Sequence, residues 1–181
     1  VREREERFLV AGFKAFESKI LKRGYVARRL KSAVTDEYYS PAGEFWNPKK
    51  KSLRLRVYGK NAKIIFCERA RGTADKTVLF EGKPGEARRL LKVLGLVKRF
   101  TVAKLETVVF TKGKTSFAVE RVKGLGWTGE AELHGRGAGA LKDLHALGVK
   151  TSREPLASLW LKRAAFTRRT GTEKSCRPRR P

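Results

Sequence analysis

The chain reads as an α+β domain, most simply an antiparallel β-barrel with helices packed outside. Short segments recur in which polar and apolar residues alternate or β-branched and aromatic residues cluster, separated by glycine-bearing turns. Interspersed with them are stretches whose apolar residues repeat at helical spacing and stop at a glycine. With 181 residues the chain is long enough for one domain with a substantial core, and neither a repeat nor an interdomain linker divides it.

The first strand is Glu3–Val10, where Glu3, Glu5 and Arg7 alternate ahead of Phe8-Leu9-Val10. Gly12–Arg23 follows as a helix, with Phe13, Phe16, Ile20 and Leu21 near one face and Gly24 at its end. Leu53–Tyr58, Lys63–Cys67 and Thr77–Phe80 are strands, punctuated at Gly59-Lys60-Asn61 and at Gly72. Pro84–Leu94 opens on proline, carries Leu90, Leu91, Val93 and Leu94, and stops at Gly95. Val102–Thr111 and Ser116–Val122 form a hairpin across Lys112-Gly113-Lys114, and Thr128–Leu133 completes the strands. Ala138–Leu147 is helical, with Leu141, Leu144 and Leu147 before Gly148, and Glu154–Leu161 makes a fourth, short helix.

Forty-three Lys and Arg against 18 Asp and Glu leave a net charge of +25, which implies a polyanionic partner: nucleotide, polyphosphate, nucleic acid or anionic membrane. Eight of the basic residues follow Leu161, opposed by Glu173 alone, so residues 162–181 read as a basic, disordered tail and a route to nucleic acid. Cys67, Cys176, His134 and His145 are scattered, which argues against a zinc site or a disulfide framework. No apolar run approaches membrane-spanning length, and the charged start lacks the form of a secretory signal. The expected location is therefore the cytoplasm, with no membrane partner. Gln and Met are absent and Asn occurs twice, the composition of a protein from a hot-living source.

Three charged pairs carry the chemistry. On a strand, residues two apart share a face, so Glu3, Glu5 and Arg7 project together, as do Arg54 with Arg56 and Glu130 with Glu132. Each pair alone fits a solvated surface strand. For Leu53-Arg54-Leu55-Arg56-Val57 two arrangements stay open: leucines in the core with arginines outside, or leucines under outer helices with arginines lining a polar lumen. Inward arginines would need phosphates or carboxylates as partners. Inward carboxylates from two strands would supply hard oxygen ligands for Mg²⁺ or Mn²⁺, with Glu120 a further acidic contributor.

Read in order, these segments resemble the CYTH family, which is named for class IV adenylyl cyclase and thiamine triphosphatase. EREERFLV looks like its opening E-x-E-x-K strand with Arg7 in place of lysine, and TDEYYS, Thr35–Ser40, is similar to its D-x-Y-Y/F segment. LRLR matches its L-R-x-R strand, and ERVKGLGWTGEAEL, from Glu120, keeps the spacing of D-x-V-x-x-L-G-x-F-x-E-x-E. Glu120 replaces aspartate there and Thr128 replaces phenylalanine. Where the family has T-x-K this chain offers Cys67-Glu68-Arg69, and where it has K-x-R this chain has Lys104-Leu105-Glu106, with Glu106 an acid in place of the second cation.

The resemblance spans Glu3 to about Leu161 and implies a CYTH-like tunnel domain over residues 1–161, a closed eight-stranded antiparallel barrel with helices outside. It further implies a metal site of Glu3, Glu5, Glu130 and Glu132 holding Mg²⁺ or Mn²⁺. Arg7, Arg54, Arg56, Arg69 and Lys104 would bind a triphosphate, and Glu3, Glu5, Arg7, Lys104 and Glu120 would serve catalysis. The expected function is metal-dependent hydrolysis of inorganic, thiamine or nucleoside triphosphate. Its alternatives are a class IV adenylyl cyclase and a non-catalytic polyphosphate- or RNA-binding protein.

Overall fold

The computed structural model describes residues 2–3, 5–30, 33–70, 73–132 and 137–170. Its strands are β1 (Arg2–Glu3), β2 (Glu5–Val10), β3 (Val26–Leu30), β4 (Val34–Pro41), β5 (Lys51–Tyr58), β6 (Asn61–Ala70), β7 (Thr73–Gly82), β8 (Leu96–Lys112), β9 (Thr115–Val122), β10 (Gly126–Glu132) and β11 (Thr151–Ser152). The helices are α1 (Phe13–Lys22), α2 (Pro84–Val93), α3 (Gly137–His145) and α4 (Leu156–Thr170). The strands form one antiparallel sheet in the order β1-β7-β6-β5-β4-β8-β9-β10-β2-β11, with β3 pairing β8. The sheet curls into an open half-barrel.

The expectation of a closed eight-stranded barrel is corrected here. Arg2–Glu3 pairs with β7, opposite Asp75 and Ala74, whereas Glu5–Val10 pairs with β10. The free flank of β7 thus has a partner only two residues long, and among the described residues no ladder joins β7 to β2. Several elements also differ from the sequence reading. Both β3 and β4 add to it, and β7 and β8 run longer than expected. The final helix runs to Thr170, through residues read as tail, while residues 171–181 lie outside the described residues. Gly72, placed at a turn, and His134 lie outside them too.

The outer apolar faces of the strands are covered by helices. On α1, Phe13, Phe16 and Ile20 form a stripe that packs with Phe8, Val108, Phe110, Phe117, Val119 and Ala131, and α3 adds Ala140 and Leu144. Under α2, Ala87 and Leu91 meet Leu53, Leu55, Ala62 and Ile64. Proline opens α2, and the Glu86 carboxylate accepts from the Lys83 backbone N–H at 3.4 Å. The third cluster is on the other face: Leu156 and Ala157 of α4 pack with Tyr38, Val102 and Val122 inside the curl. Among the described residues no helix is long and apolar enough to cross a membrane.

Two local devices set which side chains face inward. The hairpins β5–β6 and β8–β9 turn through Gly59 and Gly113, both at positive φ (59° and 54°), where a side chain would be strained. The β8–β9 register then slips between Lys104 and Glu106. Such a bulge exchanges the two faces of a strand. Before it, even-numbered Val102 and Lys104 face inward. After it, Val109 faces in, while Val108 and Phe110 join the outer core.

In the outer core β2 and β10 approach closely, with Phe8 opposite Gly129. A Cβ at Gly129 would lie 1.9 Å from the Phe8 ring, and Phe8 is itself enclosed. Gly129→Ala should therefore lower stability by about 1–3 kcal/mol, the usual cost of overpacking. Phe8→Leu should recover part of that loss when added to the variant. Urea denaturation of the single and double variants reads both effects; a neutral Gly129→Ala would show that this contact does not constrain the sheet.

Candidate functional site

The concave face of the sheet holds a cavity of about 480 Å³. Its lining follows from strand periodicity. Glu5 and Arg7 come from β2; Arg54 and Arg56 from β5; Cys67 and Arg69 from β6; Lys76 from β7; Lys104 from β8; Glu120 from β9; and Glu130 from β10. Pro155, Leu156 and Ala157 of the α4 region line it from within the curl. For β5 the choice left open by the sequence is settled: the leucines lie under α2 and the arginines face the cavity.

These charges are arranged as pairs across neighbouring strands. Asp36 on β4 is fully buried, and its register partner on β5 is Arg56, while Tyr38 faces Arg54. Arg56 donates from Nε and Nη2 to the two Asp36 oxygens at 2.8 and 2.9 Å, and Arg54 Nη1 lies 3.5 Å away. Burial pushes the Asp36 carboxyl up, but the Arg54 charge and the Arg56 hydrogen bond outweigh it and hold it far below the ordinary carboxylate range. The same partnership, against a large desolvation cost, raises Arg54 above its ordinary value.

Arg7 is 6% exposed and sits between acids. Its Nη2 is 2.5 Å from Glu130 and 3.3 Å from Glu5, and it stands opposite Glu130 in the ladder. Desolvation works against its charge, yet Glu130, Glu5 and Glu120 together raise its pKa. Lys76 forms an ion pair with Glu5 that reaches from β7 to β2, the two strands left unzipped in the sheet. Lys104 donates to Glu120 Oε1 at 2.8 Å. Several buried polar atoms remain without a partner: Arg7 Nη1, Arg54 Nε, Arg69 Nε and Glu120 Oε2. Unpaired buried groups of this kind are costly unless a ligand supplies the missing partners.

The structure thus gathers Glu5, Arg7, Arg54, Arg56, Arg69, Lys104, Glu120 and Glu130 around one cavity. The side chains of Glu3 and Glu132 lie outside the described residues; their backbones pair opposite Ala74 and Glu5. Glu106 does not put an acid among the tunnel cations. The bulge at Leu105 turns it to the outer surface, where it pairs with Arg29 at 2.7 Å and Arg121 at 3.7 Å. Sequence reasoning assigned no role to Asp36, Tyr38 or Lys76. For Asp36 a signal was present: it alternates with Tyr38 and Ser40, and a buried carboxylate is what two inward arginines require. Lys76 carried none, since Thr73-Ala-Asp-Lys-Thr shows no clear alternation.

Hard divalent ions suit carboxylate oxygens, and the buried, unpartnered Glu120 Oε2 is an oxygen of that kind. However, Glu5, Glu120 and Glu130 are each engaged by a cation. Among the described residues no three His, Cys, Asp or Glu side chains stand close enough to cage a metal. The set fits an ion held by one or two carboxylates together with ligand phosphates, which is the habit of Mg²⁺.

Fold and cavity together define a class: a curled antiparallel sheet with a cavity lined by paired charges on its concave face. No family model matches the chain and no curated protein matches it by sequence. Among solved structures it resembles the PH1012 protein of Pyrococcus horikoshii, at 24% identity and a TM-score of 0.67, over 87% of this chain and 98% of that one. A candidate adenylate cyclase from Vibrio parahaemolyticus is similar at 16% identity and TM-score 0.59, over 93% and 88%. So is the Hippeastrum protein HpAC1, described as a candidate adenylyl cyclase with a dominant triphosphatase activity, at 13% and 0.58, over 89% and 95%. At such identities the likeness establishes the fold alone, and that fold is consistent with the CYTH resemblance of the sequence.

The Asp36 pair makes a pH prediction. Its folded-state pKa is depressed, so its contribution to stability is complete above the unfolded value of about 4 and is lost as pH falls through the lower folded value. Asp36→Asn should cost about 3–5 kcal/mol at neutral pH, because two buried guanidinium groups lose their counter-charge. The gap between wild type and variant should narrow steadily in acid. Urea melts at pH 7, 5 and 3 measure it, and a gap independent of pH would remove Asp36 from this role.

Proposed function

We propose that the protein is a metal-dependent hydrolase of triphosphate-containing substrates, working in the tunnel. The observation that carries this reading is the set of buried, unpartnered guanidinium nitrogens of Arg7, Arg54 and Arg69, which face the same cavity as Glu5, Glu120 and Glu130. Planar guanidinium forks suit phosphate oxygens, and six cations around one cavity suit a chain of three phosphates better than a single one. Arg54 and Arg56 would hold the phosphate chain, with Asp36 fixing their orientation from behind. Lys104 and Arg7 would bind the oxygens on which charge develops.

Glu5 and Glu130 would hold Mg²⁺ or Mn²⁺ jointly with the substrate, with Glu3 and Glu132 as further ligands by resemblance. The bound ion would neutralise phosphate charge and polarise the bond to be cleaved. A water oxygen attacks the terminal phosphorus and the bridging P–O bond breaks, its electron pair leaving with the departing phosphate chain. Glu120 Oε2 would take the water's proton, a role that its burial beside Lys104 without a partner supports. No serine, cysteine or histidine nucleophile is needed. The solved relatives described as candidate cyclases support a second reading: attack by a ribose hydroxyl on the α-phosphorus, with release of pyrophosphate.

A panel of inorganic triphosphate, thiamine triphosphate, ATP and RNA 5′-triphosphate, each with Mg²⁺ or Mn²⁺ and with products separated, distinguishes the two. Orthophosphate release supports the hydrolase; a cyclic nucleotide with pyrophosphate supports the cyclase. Glu120→Gln and Glu130→Gln should each lower turnover by roughly a hundredfold, the scale of losing a main electrostatic contributor. Arg54→Lys should lower it too, through the lost bidentate contact rather than lost charge. Wild-type protein inert towards the whole panel, with the Gln variants binding polyphosphate more tightly without metal, would make it a polyanion binder.

A further inference from the structure

Between Lys76 and Glu81 the open flank of β7 lacks the charges that usually guard a sheet edge. Beyond Ala74 and Asp75, which β1 covers, no strand pairs with this flank among the described residues. Thr77, Val78, Leu79 and Phe80 follow one another there, and Val78 and Leu79 are 48% and 59% exposed. By contrast β3, which also pairs on one side only, carries Arg28 and Arg29 at its centre. Central charges keep an edge from pairing with another chain, whereas exposed β-branched and aromatic residues invite it. We propose that the β7 edge docks a second copy of this chain, the two strands pairing antiparallel about a two-fold axis.

The bulge in β7 makes the segment complementary to itself. Ile64 stands opposite Phe80 and Ile65 opposite Val78, so Leu79 is an extra residue. Before it, Lys76 and Val78 line the cavity; after it, Phe80 packs in the outer core with Ala87 and Leu91. Glu81 therefore points inward again. Its carboxylate accepts at 2.8 Å from Lys63, whose register partner is the inward Arg56. Lys76 and Glu81 are an odd number of positions apart, and on an unbroken strand they would point to opposite faces. The extra residue puts them on one face.

Directly opposed residues of an antiparallel pair share a face. With Lys76 set opposite Glu81 of the partner subunit, Thr77 meets the partner's Phe80 and Val78 meets the partner's Leu79. The two-fold axis repeats each pair, so a Lys–Glu pair closes both ends of the ladder and the faces match along it. A slip of one residue either way would set the outward Phe80 against the inward Lys76 or the inward Val78. Charge and facing thus select a single register, and the complement they select is the segment itself. This self-complementarity argues for a second copy rather than an unrelated partner, and it is independent of the chemistry in the tunnel.

One strand pair is a small interface, so the dimer should form at about tens of micromolar. Sedimentation velocity of the full chain from about 1 to 200 μM, in about 0.15 M salt to screen the net charge, measures it. Leu79→Lys should weaken the dimer at least about tenfold, the scale of losing one well-placed interface residue, while Leu79→Ile should keep it; thermal melts check that both variants fold. The register is read separately with Val78→Cys and Leu79→Cys chains, each also carrying Cys176→Ser. Mixed and oxidised, the two chains should cross-link to each other faster than either does to itself, because their Cβ atoms are opposed. If Leu79→Lys does not fold, this cross-link alone decides. A wild type monomeric throughout the range would overturn the proposal and make the bulge a device that keeps the edge from pairing. A dimer as strong in folded Leu79→Lys, or cysteine chains that cross-link no faster together than apart, would overturn it equally.

Discussion

The buried Asp36 carboxylate, bound by Arg56 through two hydrogen bonds and flanked by Arg54, is the constraint around which the concave face is organised. Two guanidinium groups cannot be taken out of water on neighbouring positions of one strand without a counter-charge. Asp36 provides it from the adjacent strand, at the register position opposite Arg56. That pairing ties β4 to β5 in a single alignment, because a slip of one residue would turn Asp36 outward and leave both arginines unpaired. It also leaves the Arg54 Nε free of protein partners, so the group that stabilises the strand pair also presents a donor to the cavity.

The remainder of the sheet follows the same inverted plan. Apolar faces that would form the centre of an ordinary sandwich are turned outward and covered by α1, α2 and α3, and the charged faces are turned in. The plan is maintained by pairing most inward cations with an acid from another strand or a near neighbour: Arg7 with Glu130 and Glu5, and Lys104 with Glu120. Lys76 and Glu5 extend it across the seam between β7 and β2, which no ladder closes among the described residues. A side-chain ion pair there holds the two flanks of the curl near one another where a ladder does not.

Departures from ideal strand geometry matter as much as the pattern. Without the bulge between Lys104 and Glu106, both would project into the cavity, and an acid would stand among the inward cations. The extra residue sends Glu106 to Arg29 and Arg121 on the outside and allows Val108 and Phe110 to enter the core beneath α1. An apparent defect in the motif is thus resolved by backbone geometry. In the same way α4, read from the sequence as a short terminal helix, uses Leu156 and Ala157 to fill part of the concave side.

The sequence by itself determined the strand-rich α+β character, the two tight hairpins and the apolar stripes of α1 and α2. It also determined which charges share a face, because a period of two is a local property of the chain. It could not say whether Arg54 and Arg56 look inward or outward, since Leu53-Arg54-Leu55-Arg56 alternates identically in both cases. That choice was made by α2, whose Ala87 and Leu91 cover the leucines from outside, and by Asp36, which receives the arginines within. Tertiary structure alone decided the open seam between β7 and β2, the destination of Glu106, and the recruitment of Lys76 to the cavity. Each of these depends on which strand lies beside which and on a register slip of one residue, and neither leaves a trace in local spacing.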